Sequence, residues 1–201
     1  MITLILTRHG ETDLNVAGLM SGQSDVAKLT KNGIAQAKGL GKALLRWDID
    51  LIYSSTLKRA RRTAEIINES LGKEIIFLDD LRERNWGVLE GESVDEVFEK
   101  LEKLDFQKRF RFKPEGGESW LEFEKRLLVC LEDVVMQNQG KTVLLVSHGG
   151  VVKVLIPLIK KLPREETFDL KIHNTSLTIF KIDEGEIVEE LINDIAHLEI
   201  V

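Results

Sequence analysis

The chain has 201 residues, 43% hydrophobic and 31% charged, with a net charge of −6 and one cysteine. That size supports one large domain with a substantial core, or two small ones, and the composition is globular rather than disordered or membrane-spanning. The negative balance argues against a general nucleic-acid binder, and the lone Cys130 excludes a disulfide framework and fits a reducing, cytoplasmic setting.

In chain order, the apolar run Ile2–Thr7 reads as a buried strand that meets Arg8 almost at once, so no signal peptide is expected. A helix follows near Lys31–Arg46, in which Gly39 and Gly41 look like close-packing sites. Next come a strand at Leu51–Tyr53, a helix near Leu57–Leu71 and a strand at Glu74–Leu78. Ser93–Lys103 and Trp120–Asn138 are amphipathic, and Ser93…Glu96 and Ser119…Glu122 have capping-box spacing at their starts. Gly72 and Gly140 sit where a left-handed helix cap is useful. Between the two amphipathic stretches, Asp105–Gly117 reads as an irregular surface excursion. The strand Thr142–Ser147 leads to a helix over Val151–Lys161, closed by Pro163. The apolar stretch Val151–Ile159 is too short to cross a bilayer and contains Lys153 and Pro157, so no membrane partner is expected. The tail reads as a hairpin, Ser176–Ile182 and Glu186–Leu191 around Asp183-Glu184-Gly185.

Strand–helix alternation predicts an α/β fold: one domain over 1–201 with a mostly parallel sheet and helices on both faces. In such sheets ligands sit beyond the carboxyl ends of the strands. Three polar clusters fall at those ends: Arg8-His9-Gly10, Ser54-Ser55 and Ser147-His148-Gly149-Gly150. A further arginine set, Arg59, Arg61 and Arg62 in "SSTLKRARRTAE", opens the helix after the second cluster. Arginines at a helix N-terminus oppose its dipole, so their placement beside Arg8 and two strand-end histidines points to an anion between them. A phosphoryl group fits, because its transfer depends on positioning and on neutralising charge spread over several oxygens.

The same residues carry a family resemblance. "TRHGETDLN", with Arg8, His9, Gly10, Thr12 and Asn15, is similar to the signature of the histidine phosphatase superfamily, the phosphoglycerate mutase-like family. "SGQSDVAKLTKNGIAQA", "SSTLKRARRTA", "LRERNWGVLEG", "GGES", "VSHGG", "HNTSL" and the terminal "ND" and "HL" also resemble family patterns, in order and through most of the chain. The resemblance implies a phosphoglycerate mutase-like fold and assigns roles position by position. His9 would be the nucleophile that forms a phosphohistidine, with Arg8, Arg59 and His148 gripping the phosphoryl oxygens and Asn15 adding a hydrogen bond. His148, if protonated, would add charge as well as a donor. Ser21 and Gly22 would let backbone approach the substrate, and Gly149 would join them in binding it. Glu83 would be the proton donor to the leaving group, with Glu90 and Glu118 orienting loops and Glu11 supporting the pocket rim. The His173–Ser176 segment would shape the pocket from behind.

No histidine pair has metal-ligand spacing and no phosphate-binding glycine loop or dinucleotide fingerprint occurs, so neither a metal nor a cofactor is expected. The expected activity is a metal-independent phosphomonoester hydrolase acting through a phosphohistidine on a small phosphorylated metabolite. Three features favour it over the alternative, a 2,3-bisphosphoglycerate-dependent phosphoglycerate mutase. The chain runs compactly from Glu83 to "GGES", Leu14 stands where the mutase pattern has Trp, and "NWGVLEG" resembles the phosphatase branch. A non-catalytic binding module ranks third. The stretch 94–117 is where the family places substrate-capping structure. There Lys108, Arg109, Arg111 and Lys113, interleaved with Phe106, Phe110 and Phe112, read either as a solvated basic face over buried rings or as a lid for an anionic substrate.

Overall fold

Three apolar runs alternate their side chains between two cores, and that alternation builds the sheet. In the computed structural model, which describes residues 1–198, the strands are β1 (Ile2–Arg8), β2 (Leu51–Ser55), β3 (Ile75–Leu78), β4 (Thr142–Ser147), β5 (Leu177–Asp183) and β6 (Glu186–Asp194). The last three residues of the domain expected over 1–201 lie outside the described residues. The strands form one six-stranded sheet in the order β3-β2-β4-β1-β5-β6. β4 pairs in parallel with β1 and β2, and β2 with β3. Only the tail departs: β5 runs antiparallel to β1, and β6 antiparallel to β5. Along β1, Leu4 and Leu6 enter one core while Ile5 enters the other; along β4, Val143 and Leu145 oppose Leu144 and Val146 in the same way.

The helices cover both faces, as alternation predicts. α2 (Lys31–Ala43) and α3 (Lys58–Leu71) pack with Ile5, Ile52 and Leu144. α6 (Trp120–Gln137) and α7 (Gly149–Lys160) pack with Leu4, Tyr53 and Leu145. Gly41 lets α2 approach α3, since a Cβ there would stand 3.0 Å from the Ile67 carbonyl oxygen. Gly72 closes α3 in the left-handed region at φ 63°. Ser119 and Glu122 form the expected capping box at the start of α6. Before α4 (Val94–Glu102), Ser93 caps the Glu96 N–H, but no reciprocal bond from the Glu96 side chain accompanies it. α7 begins two residues earlier than expected and carries Pro157 in its interior.

The excursion after α4 is more ordered than its composition implies. Asp105 caps a six-residue helix, α5 (Phe106–Arg111), through the Lys108 N–H. Phe106 and Phe110 pack around Phe168, and the Arg109 guanidinium lies 4.0 Å over the Phe168 ring. Lys108 pairs with Asp105 and Lys113 with Glu122. Of its rings, Phe110 is buried and Phe106 and Phe112 are half-buried.

Candidate active site

The parallel order β2-β4-β1 brings three strand ends to one edge of the sheet, and the turns leaving them build a cleft. Arg8 ends β1, Ser55 ends β2, and Ser147 ends β4 just before His148 and α7. The turn after β1 is pressed onto α2: a Cβ on Gly10 would stand 2.4 Å from the Gly33 carbonyl oxygen, so only glycine fits there. Its N–H donates to Thr63 Oγ1, whose hydroxyl in turn donates to the Arg59 carbonyl. From behind, Asn174 Nδ2 donates to the His9 carbonyl at 2.8 Å and Thr175 N–H to the Arg8 carbonyl at 2.9 Å. Thr175 holds φ at 55°, a strained conformation for a β-branched residue, beside the turn that it braces. His173 itself is exposed, so its neighbours do the bracing.

His9 is 3% exposed, and its ring is oriented by two bonds. Nδ1 lies 2.8 Å from the Gly10 carbonyl oxygen, which can only accept, so Nδ1 carries the proton. Nε2 then holds the lone pair, and Arg59 Nε–H donates to it at 3.3 Å. Burial, reinforced by Arg59 and Arg8, holds the His9 pKa well below its ordinary value. The imidazole is therefore neutral at physiological pH.

The two arginines are secured by neutral acceptors. Arg8 donates to the Ile172 carbonyl at 2.8 Å, while its Nε is buried without a partner. Arg59 donates to the carbonyls of Gly22, at 2.6 Å, and Ser24, at 2.9 Å. A carbonyl orients a guanidinium without cancelling its charge, so both charges remain available to an anion. Burial lowers the Arg59 pKa to about 10, still charged at neutral pH. The first N–H of α3, by contrast, is taken by Asp25, and Arg61 and Arg62 are exposed and paired with Glu65.

His148 is fully buried behind His9, the two rings edge to face with centroids 5.3 Å apart. Its Nε2 meets Ser55 Oγ at 2.8 Å, an oxygen that also accepts from Leu57 N–H. Its Nδ1 is buried without a partner. Burial, then Arg59, hold the His148 pKa well below its ordinary value as well.

Opposite this cluster stands Glu83, on the turn after β3. Its Oε1 accepts from Arg84 N–H at 2.8 Å and its Oε2 from Gly150 N–H at 3.0 Å. Gly150 leaves room for this carboxyl, since a Cβ there would overlap Glu83 Oε1 and push it aside. Among the described residues no ion pair joins Glu83 to its flanking arginines. Arg82 pairs with Asp79, and Arg84 is wholly buried between the rings of Trp86, at 4.0 Å, and Trp120, at 5.0 Å. Glu118 holds Asn85 N–H and Arg126, and Glu90 holds Gln23 N–H, so both carboxylates orient loops. Glu11 is bound to Thr30 and Asn32 at the start of α2 and is not part of the cleft wall.

The cleft, of about 180 Å³, brings together Arg8, His9, Asn15, Ser21, Gly22, Arg59, Glu83 and Gly149. His148 lies beneath this lining. Asn15 Oδ1 is engaged by Thr12 N–H and Asn174, which leaves its amide nitrogen for a ligand. Ser21 Oγ is buried without a partner. Gly22, at φ 49°, presents its carbonyl to Arg59. The other half of the wall was missed in sequence: Leu19, Met20, Trp86, Val94, Phe98, Trp120 and Ile172 are apolar, and Lys153 is the one further cation. Val94 and Phe98 are the only contributions to this wall from the 94–117 segment. The doubled glycine at 149–150 and one lysine inside an apolar helix were the available signals for Gly150 and Lys153. The apolar wall had none, because its members are far apart in the chain.

The chain is similar to known proteins along nearly its whole length. The family model described as Histidine phosphatase superfamily (branch 1) matches residues 4–195. The "Probable phosphoglycerate mutase GpmB" of Escherichia fergusonii is 36% identical over 99% of this chain and 96% of its own. Bacillus stearothermophilus YhfR superposes with a TM-score of 0.86 at 33% identity, covering 98% of this chain and all of that one. A phosphoserine phosphatase variant from Entamoeba histolytica, solved in complex with phosphoserine, gives 0.84 at 30% identity over 98% of this chain and all of its own. With a family match over nearly the whole length and a fold shared from end to end, the chain belongs to the histidine phosphatase superfamily.

Proposed function

We propose that the protein is a phosphomonoester hydrolase that works through a phosphohistidine on a small phosphorylated metabolite. The observation that carries this reading is the His9 ring: neutral, with Nδ1–H spent on the Gly10 carbonyl and the Nε2 lone pair in a cleft between two uncancelled guanidiniums. Nε2 attacks phosphorus, and the bond from phosphorus to the ester oxygen breaks. The departing alkoxide takes a proton from Glu83, which sits across the cleft. A water then gives its proton to Glu83 and attacks the phosphohistidine, releasing phosphate and restoring His9. As the N–P bond forms, Arg59 Nε–H passes from Nε2 to a phosphoryl oxygen. Arg8 and Arg59 neutralise the developing charge, the Asn15 amide and the Ser21–Gly22 turn complete the grip, and His148 backs the His9 ring from beneath. Gly149, bare of a side chain beside Arg8, leaves room for the group being transferred.

A second reading, a phosphoglycerate mutase, is favoured by relatives named for that activity. A mutase must accommodate a bisphosphorylated species and keep water from the phosphohistidine. Here the cleft offers one cation besides Arg8 and Arg59, Lys153, too little for a second phosphoryl group, which supports hydrolysis. The test is phosphate release from p-nitrophenyl phosphate in EDTA, with rapid quench to trap an acid-labile, base-stable phosphoprotein. The expected result is a trapped intermediate in the native chain and none in His9→Ala. Isomerisation of phosphoglycerate that depends on 2,3-bisphosphoglycerate and outruns phosphate release would favour the mutase instead.

A further inference from the structure

Lys153 is unlike the chain's other lysines. It lies on α7, whose remaining inner face is Val151, Val152, Val154, Leu155 and Ile156, all buried in the core. It lines the cleft with His9 and Glu83, and no ion pair among the described residues includes it. Three residues along a helix is about 4.5 Å of rise, so its Cα stands one turn beyond Gly150, whose N–H holds Glu83. Helical side chains lean toward the N-terminus, which here carries the ammonium back toward Gly150 and the cleft. The position is therefore on the helix turn that holds Glu83, where a leaving group takes its proton, with Arg8 packed against Gly149 nearby. Burial depresses the Lys153 pKa, and the nearby Glu83, itself bonded to two backbone N–H groups, only partly offsets that effect.

We propose that Lys153 reads a carboxylate on the leaving group, so that the preferred substrates are small phosphomonoesters bearing a carboxylate near the ester carbon. The proposal rests on the phosphomonoesterase reading and narrows it. A lysine presents one compact charge, suited to a single carboxylate, whereas a second phosphoryl group would call for bidentate arginines such as those beside His9. Among the described residues, Lys153 is the one cation lining this small cleft besides Arg8 and Arg59, which serve the phosphoryl group. Phosphoserine and 3-phosphoglyceric acid, bound by the structurally similar phosphatase from Entamoeba histolytica, both have this chemistry.

The test uses a matched pair, 3-phosphoglycerate and glycerol 3-phosphate, which differ by a carboxylate against a hydroxymethyl group. The native chain is expected to prefer the former by about tenfold or more in kcat/KM, through KM, as for one charge-assisted hydrogen bond. Lys153→Met should abolish that preference, and Lys153→Glu should shift it toward phosphoethanolamine, whose leaving group is cationic. A preference that survives in Lys153→Met, or an equal loss on both substrates, would overturn the proposal. Should the native chain release phosphate from no substrate, the hydrolase reading fails by itself. Calorimetric binding of the same pair to the native and Lys153→Met chains then decides the role of Lys153, with equal affinities in both proteins refuting it.

Discussion

Two basic regions of this chain look alike in composition and differ in what their charges can do. Around the sheet edge, Arg8 and Arg59 are held by backbone carbonyls of Ile172, Gly22 and Ser24. In the 106–113 stretch, Lys108 and Lys113 are exposed and matched to Asp105 and Glu122. A carboxylate partner cancels a cation, and water screens what remains; a carbonyl partner only orients it. Buried cations with neutral partners are thus a store of unspent positive potential, and exposed cations with acidic partners are not. The first arrangement costs desolvation, visible in the lowered pKa of Arg59, and it persists because the fold surrounds it with acceptors.

The comparison can be broken at several points. The largest effect belongs to the group the potential serves: His9→Ala should lower phosphatase turnover on the order of 10⁴-fold or more, measured with p-nitrophenyl phosphate. Next, Arg59→Ala should reduce kcat/KM by about 10²- to 10³-fold, since it removes a preorganised charge from the transition state. An exposed cation on the same helix, Arg62→Ala, should change it less than about twofold. Gly150→Ala places a methyl carbon where Glu83 Oε1 now sits, and the displaced carboxyl should cost about 10²-fold in kcat with a smaller change in KM.

The store of charge also predicts a pH dependence. His9 and His148 have folded pKa values below the unfolded value near 6.5. Below that value the unfolded chain binds more protons than the folded one, so stability falls as pH drops from about 6.5. Thermal unfolding between pH 7.5 and 5.5 should show this slope, flatter in His148→Gln and reduced by added phosphate. For the same reason the acid limb of kcat/KM should fall below the ordinary histidine range. The smallest effect is expected from neutralising Lys108, Arg111 and Lys113 together, with kinetics within about twofold and stability within about 1 kcal/mol. A large rise in KM there would show that the excursion helps to bind substrate after all.

Much of this was legible along the chain. The buried strands β1 and β4, the caps of α3, α4 and α6, and the polar clusters at strand ends all depend on residues close in sequence, where local geometry dictates the outcome. Arg8, His9 and Arg59 could be named because each ends or opens an element whose type the local pattern determines; Glu83 could be named only through the resemblance of "LRERNWGVLEG" to the family's acidic segment. The apolar wall of Trp86, Trp120, Phe98 and Ile172, the sandwich that buries Arg84 and the contact of Gly150 with Glu83 could not. Nor could the lowered pKa of His148, which depends on its burial and on Arg59 from another element. Sequence by itself determined which groups arrive at the sheet edge. Tertiary structure alone decided which are desolvated, which partners they meet and hence which charges stay unspent, because desolvation and pairing are properties of the packed surroundings rather than of neighbours along the chain.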